Sequence, residues 1–450
     1  MESASPPGRG RVQPPITSRF GLRPSLPDAA AWRPLAKPTL AAASLTLMVV
    51  CGFLMAAGTA ARDYGPKLDL PGSIRGPLQF LDLPISGTEF VVLCVVLSAC
   101  YLAVIALAGS ISVRAGLGTI AALHLLMALA PPLLSSDVFN YLSYARLEVV
   151  HGLNPYVFAP AVEAQDPTFQ FIGWPLQTSA YGPLFTLATL PLALLSVTAS
   201  LWLFKAGIAA ASLGCVALVW KCAERLGRDP LPAAVFFGLN PIVLVFTVGG
   251  AHNDALMMLA ALGGIYLLLA GREAGVAGIV AAAGVKLSAA IVLPFALLGS
   301  PRPNRALLWA IGAAGAVAAA SLLAFGTEVT NLIDVLREDS VLAAPNDVPG
   351  AINDLLGLGL STEALSRIGL VVLGPVIGFL LIRVHRGADW LESAGWATLA
   401  LLATTTWLLP WYLVWFLPLA ALARRPHQRV AALALTALVL AFQLPPLLGR

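Results

Sequence analysis

The sequence predicts an all-α polytopic membrane protein, a bundle of about 12–13 transmembrane helices, and three observations carry that prediction. Of 450 residues, 58% are hydrophobic and only 11% charged, where ordinary soluble chains carry about 25% charged residues. Mean hydropathy is +0.84. The apolar residues gather into blocks close to the ~20 residues that a helix needs to cross a bilayer. Soluble domains are excluded, because so few charges cannot cover their surface. The net charge of +4 implies no nucleic-acid partner. Its meaning lies in where Lys and Arg fall, since cytoplasmic loops of membrane proteins hold the excess.

In chain order, residues 1–38 come first, with eight prolines and six basic residues against Glu2 and Asp28. Such a segment cannot bury a core, so a disordered cytoplasmic tail is expected, separate from a membrane domain at 39–450. The block at 39–59 is long enough to span and shows no cleavage pattern of a signal peptide. Further blocks follow near 88–109, 115–133, 181–198, 201–220, 231–248, 255–270, 275–298, 306–325, 364–384, 392–409, 412–422 and 430–448. Lys221/Arg225/Arg228, Arg302/Arg305, Arg383/His385/Arg386 and Arg424/Arg425/Arg429 should be cytoplasmic. Loop 326–363 holds seven acidic residues and Arg337 alone, so it is expected outside. Simple alternation then conflicts with the charges. A break at Pro191 or Asn240-Pro241 is expected between 181 and 248, and 275–298 must enter and return. The five cysteines lie in or beside apolar blocks without a Cys-x-x-Cys pair, which favours small core residues. Gly271, Gly275 and Gly278 read as helix packing.

Stretch 134–180, also expected outside, is too long for an ordinary connection. Asp137, Tyr141, Tyr144 and Glu148 share one helical stripe, beside an apolar row of Val138, Leu142, Ala145 and Val149. The pattern suits an interfacial helix, apolar side down, with Asp137 facing a cavity. Asp137 is either an N-cap or a general base, and the polar stripe favours the base. His252, Asn253 and Asp254 interrupt an apolar run, as capping residues of a turn or as part of a site. Lys286 stands mid-block, where a lysine costs ~2.5–3.5 kcal/mol on insertion scales. At the tip of a re-entrant hairpin it would face an anion, and a phosphate is the natural partner. Arg146 is a second phosphate candidate. Trp411 and Tyr412, within Pro410-Trp-Tyr-Leu-Val-Trp, read as an interfacial aromatic belt before a substrate groove. No metal-ligand cluster and no cofactor motif stands out.

These segments resemble a family in residues and in order. Asp137-Val-Phe-Asn-Tyr-Leu-Ser-Tyr, Gly152-Leu-Asn-Pro-Tyr, Tyr181-Gly-Pro-Leu, Asn240-Pro, Gly249-Gly-Ala-His-Asn-Asp-Ala, Lys286 and Pro410-Trp-Tyr-Leu-Val-Trp follow one another. The chain is similar over about 40–450 to the polyprenol-phosphomannose-dependent α-1,6-mannosyltransferases of bacterial envelopes, enzymes of the GT-C fold. It departs from them at Ser136, where relatives often carry a basic residue, and at Ala180, where they usually carry proline. The resemblance implies a membrane glycosyltransferase that takes a sugar, mannose in the family, from a polyprenyl-phosphate donor to an envelope glycan or glycolipid. Asp137 would be the base of an inverting displacement outside the cytoplasmic membrane. Tyr141, Tyr144, Arg146, Tyr181, His252, Asn253, Asp254, Lys286, Trp411 and Tyr412 would bind substrate. The competing class is a transporter or flippase, which also uses broken helices and buried charges, though it often shows two related halves and none are found here. A non-catalytic lipid-carrier binding protein would keep Lys286 and tolerate loss of Asp137.

Overall fold

The structure is a computed structural model that describes residues 33–61, 72–344 and 347–448. Residues 1–32, most of the proline-rich tail, lie outside the described residues. The first helix runs Arg33–Ala61, beginning ahead of the apolar block because helix geometry does not stop at a polar residue. Every regular element among the described residues is helical.

The apolar blocks are present as helices of unequal kind. Lys37–Ala61, Gly87–Ala106, Val197–Arg225, Pro303–Asp339, Thr362–His385 and Pro426–Leu447 are long and apolar enough to cross a bilayer. The pair Pro230–Gly238 and Ile242–Gly249 passes the same test as one span bent by 55°. Shorter apolar helices fill in: Val113–Leu129, Pro183–Leu194, Asp254–Leu269, Gly275–Val285, Leu287–Gly299 and Pro410–Ala421. Among the described residues six helices, or seven with the bent pair, are thus long and apolar enough to span, and the other expected spans are present as shorter apolar helices. Buried irregular backbone is tolerated at membrane depth where protein encloses it or a cavity opens beside it. Ser86 and Glu89 form a capping box, and Ser112, Ser196, Asp229 and Asp389 cap their own helices.

The core forms where these helices meet. The bend falls at Asn240-Pro241, as the sequence predicts, and Asn240 satisfies it. Its Oδ1 accepts from Ile242 N at 2.9 Å and its Nδ2 donates to Tyr101 Oη at 3.1 Å. Gly275 and Gly278 lie against Gly264 so closely that a Cβ on Gly275 would stand 2.3 Å from the Gly264 oxygen. Gly271 plays a different part from the packing expected of it. It turns the chain at φ 75° with open space around it. All five cysteines are buried and free.

Segment 275–299 does enter and return. Glu273 and Arg302, just outside its two ends, come within 3.5 Å. Its helix stops at Val285, and Lys286, extended at φ −152° and ψ 122°, makes the tip. The hairpin thus gives the bundle two ends, one holding its feet and one holding Lys286. At the Lys286 end the two long connections meet. Asn154 Nδ2 donates to the Phe325 oxygen, Asn331 Nδ2 to the Tyr156 oxygen, and Gln177 Nε2 to Asp339 Oδ1 at 2.7 Å.

The Asp137–Val149 helix is more enclosed than an interfacial helix. Nine of its thirteen residues are buried. Val138 and Leu142 of its apolar row pack with Phe185, Leu201, Phe204 and Ile208 of the following helices, while Val149 at its end is exposed. Apolar sides face outward most fully on Pro303–Asp339 and Thr362–His385, of which only 17% and 11% is buried.

Candidate active site

Two short segments with strained backbone deliver the polar residues. Leu134 and Ala251 adopt φ values of 59° and 58°, a left-handed conformation that costs a non-glycine residue of order 1–3 kcal/mol. Each immediately precedes a polar run, Ser135-Ser136-Asp137 and His252-Asn253-Asp254. The two runs are stitched at one atom. The Gly249 oxygen accepts from Leu133 N at 3.0 Å and from the buried Lys205 Nζ at 2.7 Å.

A cavity of about 260 Å³ opens between these runs, the hairpin tip and the loops above. Asp137, Tyr141, Tyr144, Tyr181, Lys286 and Tyr412 all line it, with Trp411 at its edge. Sequence reasoning therefore found most of the polar wall. Asp137 is the first residue of its helix, not the cap. Ser136 occupies that position, and neither side chain makes a capping hydrogen bond. The carboxylate accepts from Ser135 and Trp174 and is 14% exposed. Burial pushes it up to about 6, against the opposing pull of the Lys286 ammonium.

Lys286 needs no ligand to balance its charge. Its Nζ donates to Asp254 Oδ1 at 2.9 Å and lies 4.4 Å from the centre of the Tyr412 ring and 5.3 Å from that of Trp415. Trp415 Nε1 donates to the same Asp254 oxygen, while Asp254 Oδ2 has no partner. The expected phosphate is thus not the resident anion. A carboxylate 32 residues earlier in the chain takes that place, and 15% of the lysine side chain stays open toward the cavity. The segment is a turn, and Asn253 stands at the N-cap of the Asp254–Leu269 helix, but its side chain makes no cap hydrogen bond. Asn253 is buried with both amide atoms unpaired.

His252 stands behind the cavity and does not line it. It is fully buried and stacked on Trp411, with centroids 3.4 Å apart and planes at 13°. Its Nδ1 is 3.7 Å from Asp137 Oδ2 and 3.5 Å from Tyr141 Oη, and its Nε2 has no partner. The Pro410–Trp415 turn is no outer belt. Its Trp411, Tyr412 and Trp415 face the cavity, the last two stacked at 4.3 Å. Tyr181 meets Tyr141 edge-on at 4.8 Å.

Arg146 is not brought to the site. Its Nε donates to both oxygens of Asp166, at 2.9 and 3.0 Å, and Asp166 also accepts from His151 and Thr168. Burial alone would raise the Asp166 carboxyl, but these donors hold it down at about 2. The cluster braces loop 151–168. Glu148, last on the polar stripe, also turns away from the cavity, with Oε2 buried and unpaired. The sequence reading missed Trp174, Gln177 and Asp339, which line the cavity from the two loops, and Trp407, which lines it from just ahead of the Pro410–Trp415 turn. It also missed Lys205, whose only signal is a lysine inside an apolar block. Ala180, where a proline is usual in relatives, lies on the cavity wall. Among the described residues no three His, Cys, Asp or Glu side chains are placed to hold a metal ion.

Comparisons with known proteins bear on the family. A family model described as alpha-(1->6)-mannopyranosyltransferase, N-terminal domain, matches residues 39–300, and an MptB C-terminal domain model matches 343–447. The chain is 28% identical to alpha-(1->6)-mannopyranosyltransferase A of Mycobacterium tuberculosis, over 68% of this chain and 64% of that one. It is 26% identical to alpha-(1->6)-mannopyranosyltransferase B of Corynebacterium glutamicum, over 70% of this chain and 60% of that one. It thus spans less than two thirds of the length of either relative. No solved structure matches it. The match over 39–300 covers more than half of the molecule and both runs that meet at the cavity, and on it the chain belongs to the alpha-(1->6)-mannopyranosyltransferase family.

Proposed function

We propose that this multi-pass membrane protein transfers mannose from a polyprenyl-phosphate donor to a hydroxyl of a glycan or glycolipid on the extracytoplasmic face, with inversion. The observation that carries the proposal is one cavity holding a carboxylate of raised pKa and a lysine, between aromatic walls. A nucleotide sugar is absent outside the cytoplasm, so the donor arrives on a lipid. Its leaving group is already a phosphate and needs no general acid. Asp137 takes the proton of the acceptor hydroxyl, whose oxygen forms the new bond to the anomeric carbon. The bond from that carbon to the phosphate oxygen breaks, and polyprenyl phosphate departs with the electron pair. The open side of Lys286 stabilises the negative charge that grows there, and Asp254 keeps the ammonium aimed. Tyr181, Tyr412 and Trp411 give the sugar and prenyl chain apolar faces. A single displacement on one carboxylate yields the opposite anomer. His252 serves behind the base instead of on the substrate.

The test is purified protein in nanodiscs with polyprenyl-phosphate mannose or nucleotide-linked mannose and a short mannoside acceptor. Transfer from the lipid donor alone, with an inverted product, is expected. Transfer from the nucleotide sugar, or a retained anomer, would overturn the proposal.

A further inference from the structure

At the end of the bundle that holds the hairpin's feet, arginines from separate elements converge. Gly299, the last helical residue of the hairpin, packs on Trp390, and Asp389 beside it caps the Trp390–Thr404 helix. A cavity of about 400 Å³ opens here, lined by Arg383, Arg424, Arg425, Asp389, Glu392 and Trp396. Arg228 feels Asp389, Glu392, Arg424 and Arg429 from below, and its Nη1 is buried without a partner. Two carboxylates stand among these arginines, yet among the described residues Arg383, Arg424 and Arg425 form no ion pair. Asp389 Oδ1 is already engaged by the Glu392 amide. The Pro426–Gln443 helix starts beside the cavity with no side-chain cap on its first turn, adding its positive dipole end. Three guanidinium groups against two carboxylates line the cavity, with Arg228 and Arg429 adding positive charge near it, and this leaves the site short of negative charge.

An apolar track leads to the same place. Val372, Phe379 and Ile382 lie on one side of the Thr362–His385 helix, 47%, 60% and 52% exposed. Arg383 follows directly and holds its guanidinium 5.9 Å from the Phe379 ring centre. We propose that this pocket binds the phosphate head of an anionic membrane lipid, whose chain runs along Val372, Phe379 and Ile382. Basic pockets between spanning helices at the cytoplasmic face recognise lipid phosphates in this way. The excess of Lys and Arg at this end makes it the cytoplasmic face. The site is independent of the catalytic cavity, which lies at the other end of the hairpin.

The experiment is native mass spectrometry of detergent-purified full-length protein after exposure to phosphatidylglycerol or phosphatidylcholine. Wild type should retain phosphatidylglycerol at least tenfold better than the Arg383→Gln/Arg424→Gln/Arg425→Gln variant, with mannosyl transfer unchanged. Phosphatidylcholine retention should be weak in both. The single Arg383→Gln variant, whose side chain is exposed, carries the same expectation in smaller degree if the triple variant does not fold. Equal retention of phosphatidylglycerol by wild type and variants would overturn the proposal. Displacement of the lipid by an equal concentration of inorganic phosphate would overturn it too, since a free anion would then be the ligand.

Discussion

Replacing Asp254 by asparagine leaves Lys286 without its counter-charge inside a nearly closed site. The pair is 2.9 Å long, with Asp254 fully buried and Lys286 15% exposed. Removing one partner of a buried pair costs ~3–5 kcal/mol, because the surviving charge is left uncompensated. Lys286→Met should cost at the lower end of that range, since the Trp415 indole still donates to the carboxylate. The double variant loses both charges and keeps an amide oxygen for the Trp415 N–H. It should therefore cost less than either single change, giving a coupling of at least ~3 kcal/mol. Unfolding in mixed micelles of rising sodium dodecyl sulfate content reads these free energies, with the four proteins compared under one condition. Losses that simply add would show that Asp254 and Lys286 act separately and would refute the pairing. Donor affinity moves independently of the cycle. Every variant lacking the ammonium should bind lipid donor ~10–100-fold more weakly, as expected for a charge-assisted contact of ~1.5–3 kcal/mol.

The acid limb of kcat/KM should fall near pH 6, with activity lost as pH drops and Asp137 takes up a proton. Lys286→Met should move that limb upward, because the ammonium opposes the effect of burial. His252→Phe keeps the stack on Trp411 but removes the nitrogen 3.7 Å from Asp137. It should lower kcat roughly tenfold, about 1.4 kcal/mol, with donor affinity unchanged, and a change confined to donor affinity would make His252 a substrate ligand. In a cysteine-free background, a single cysteine at exposed Gln165 should react with an impermeant thiol reagent from outside, and one at Arg386 only after permeabilisation. The reverse labelling would invert the topology.

Much of this was legible in the sequence because the costs are local. A proline after Asn240, a lysine in an apolar block and an aspartate at the end of a span each violate a local rule, and each marks a break or a cavity. Partners were not legible. Asp254 and Lys286 are 32 residues apart, Arg146 and Asp166 20, and only folding reveals which charges meet. The aromatic run at 410–415 reads identically as a belt or as a groove wall, since both need rings beside a proline. Its inward orientation comes from packing on His252 and Asp254. What covers the Asp137–Val149 helix was not legible for a related reason. An amphipathic stripe shows that one side is covered, not whether lipid or protein covers it.

The proposed reaction depends on Asp137 as its base. Asparagine fills the same volume and cannot take the proton, and its amide oxygen can still accept from Ser135 and Trp174. The decisive measurement is mannosyl transfer by Asp137→Asn beside wild type, at matched donor-lipid occupancy. Transfer reduced by ~10²–10⁴-fold with donor still bound is the predicted result. Transfer at the wild-type rate would contradict the account.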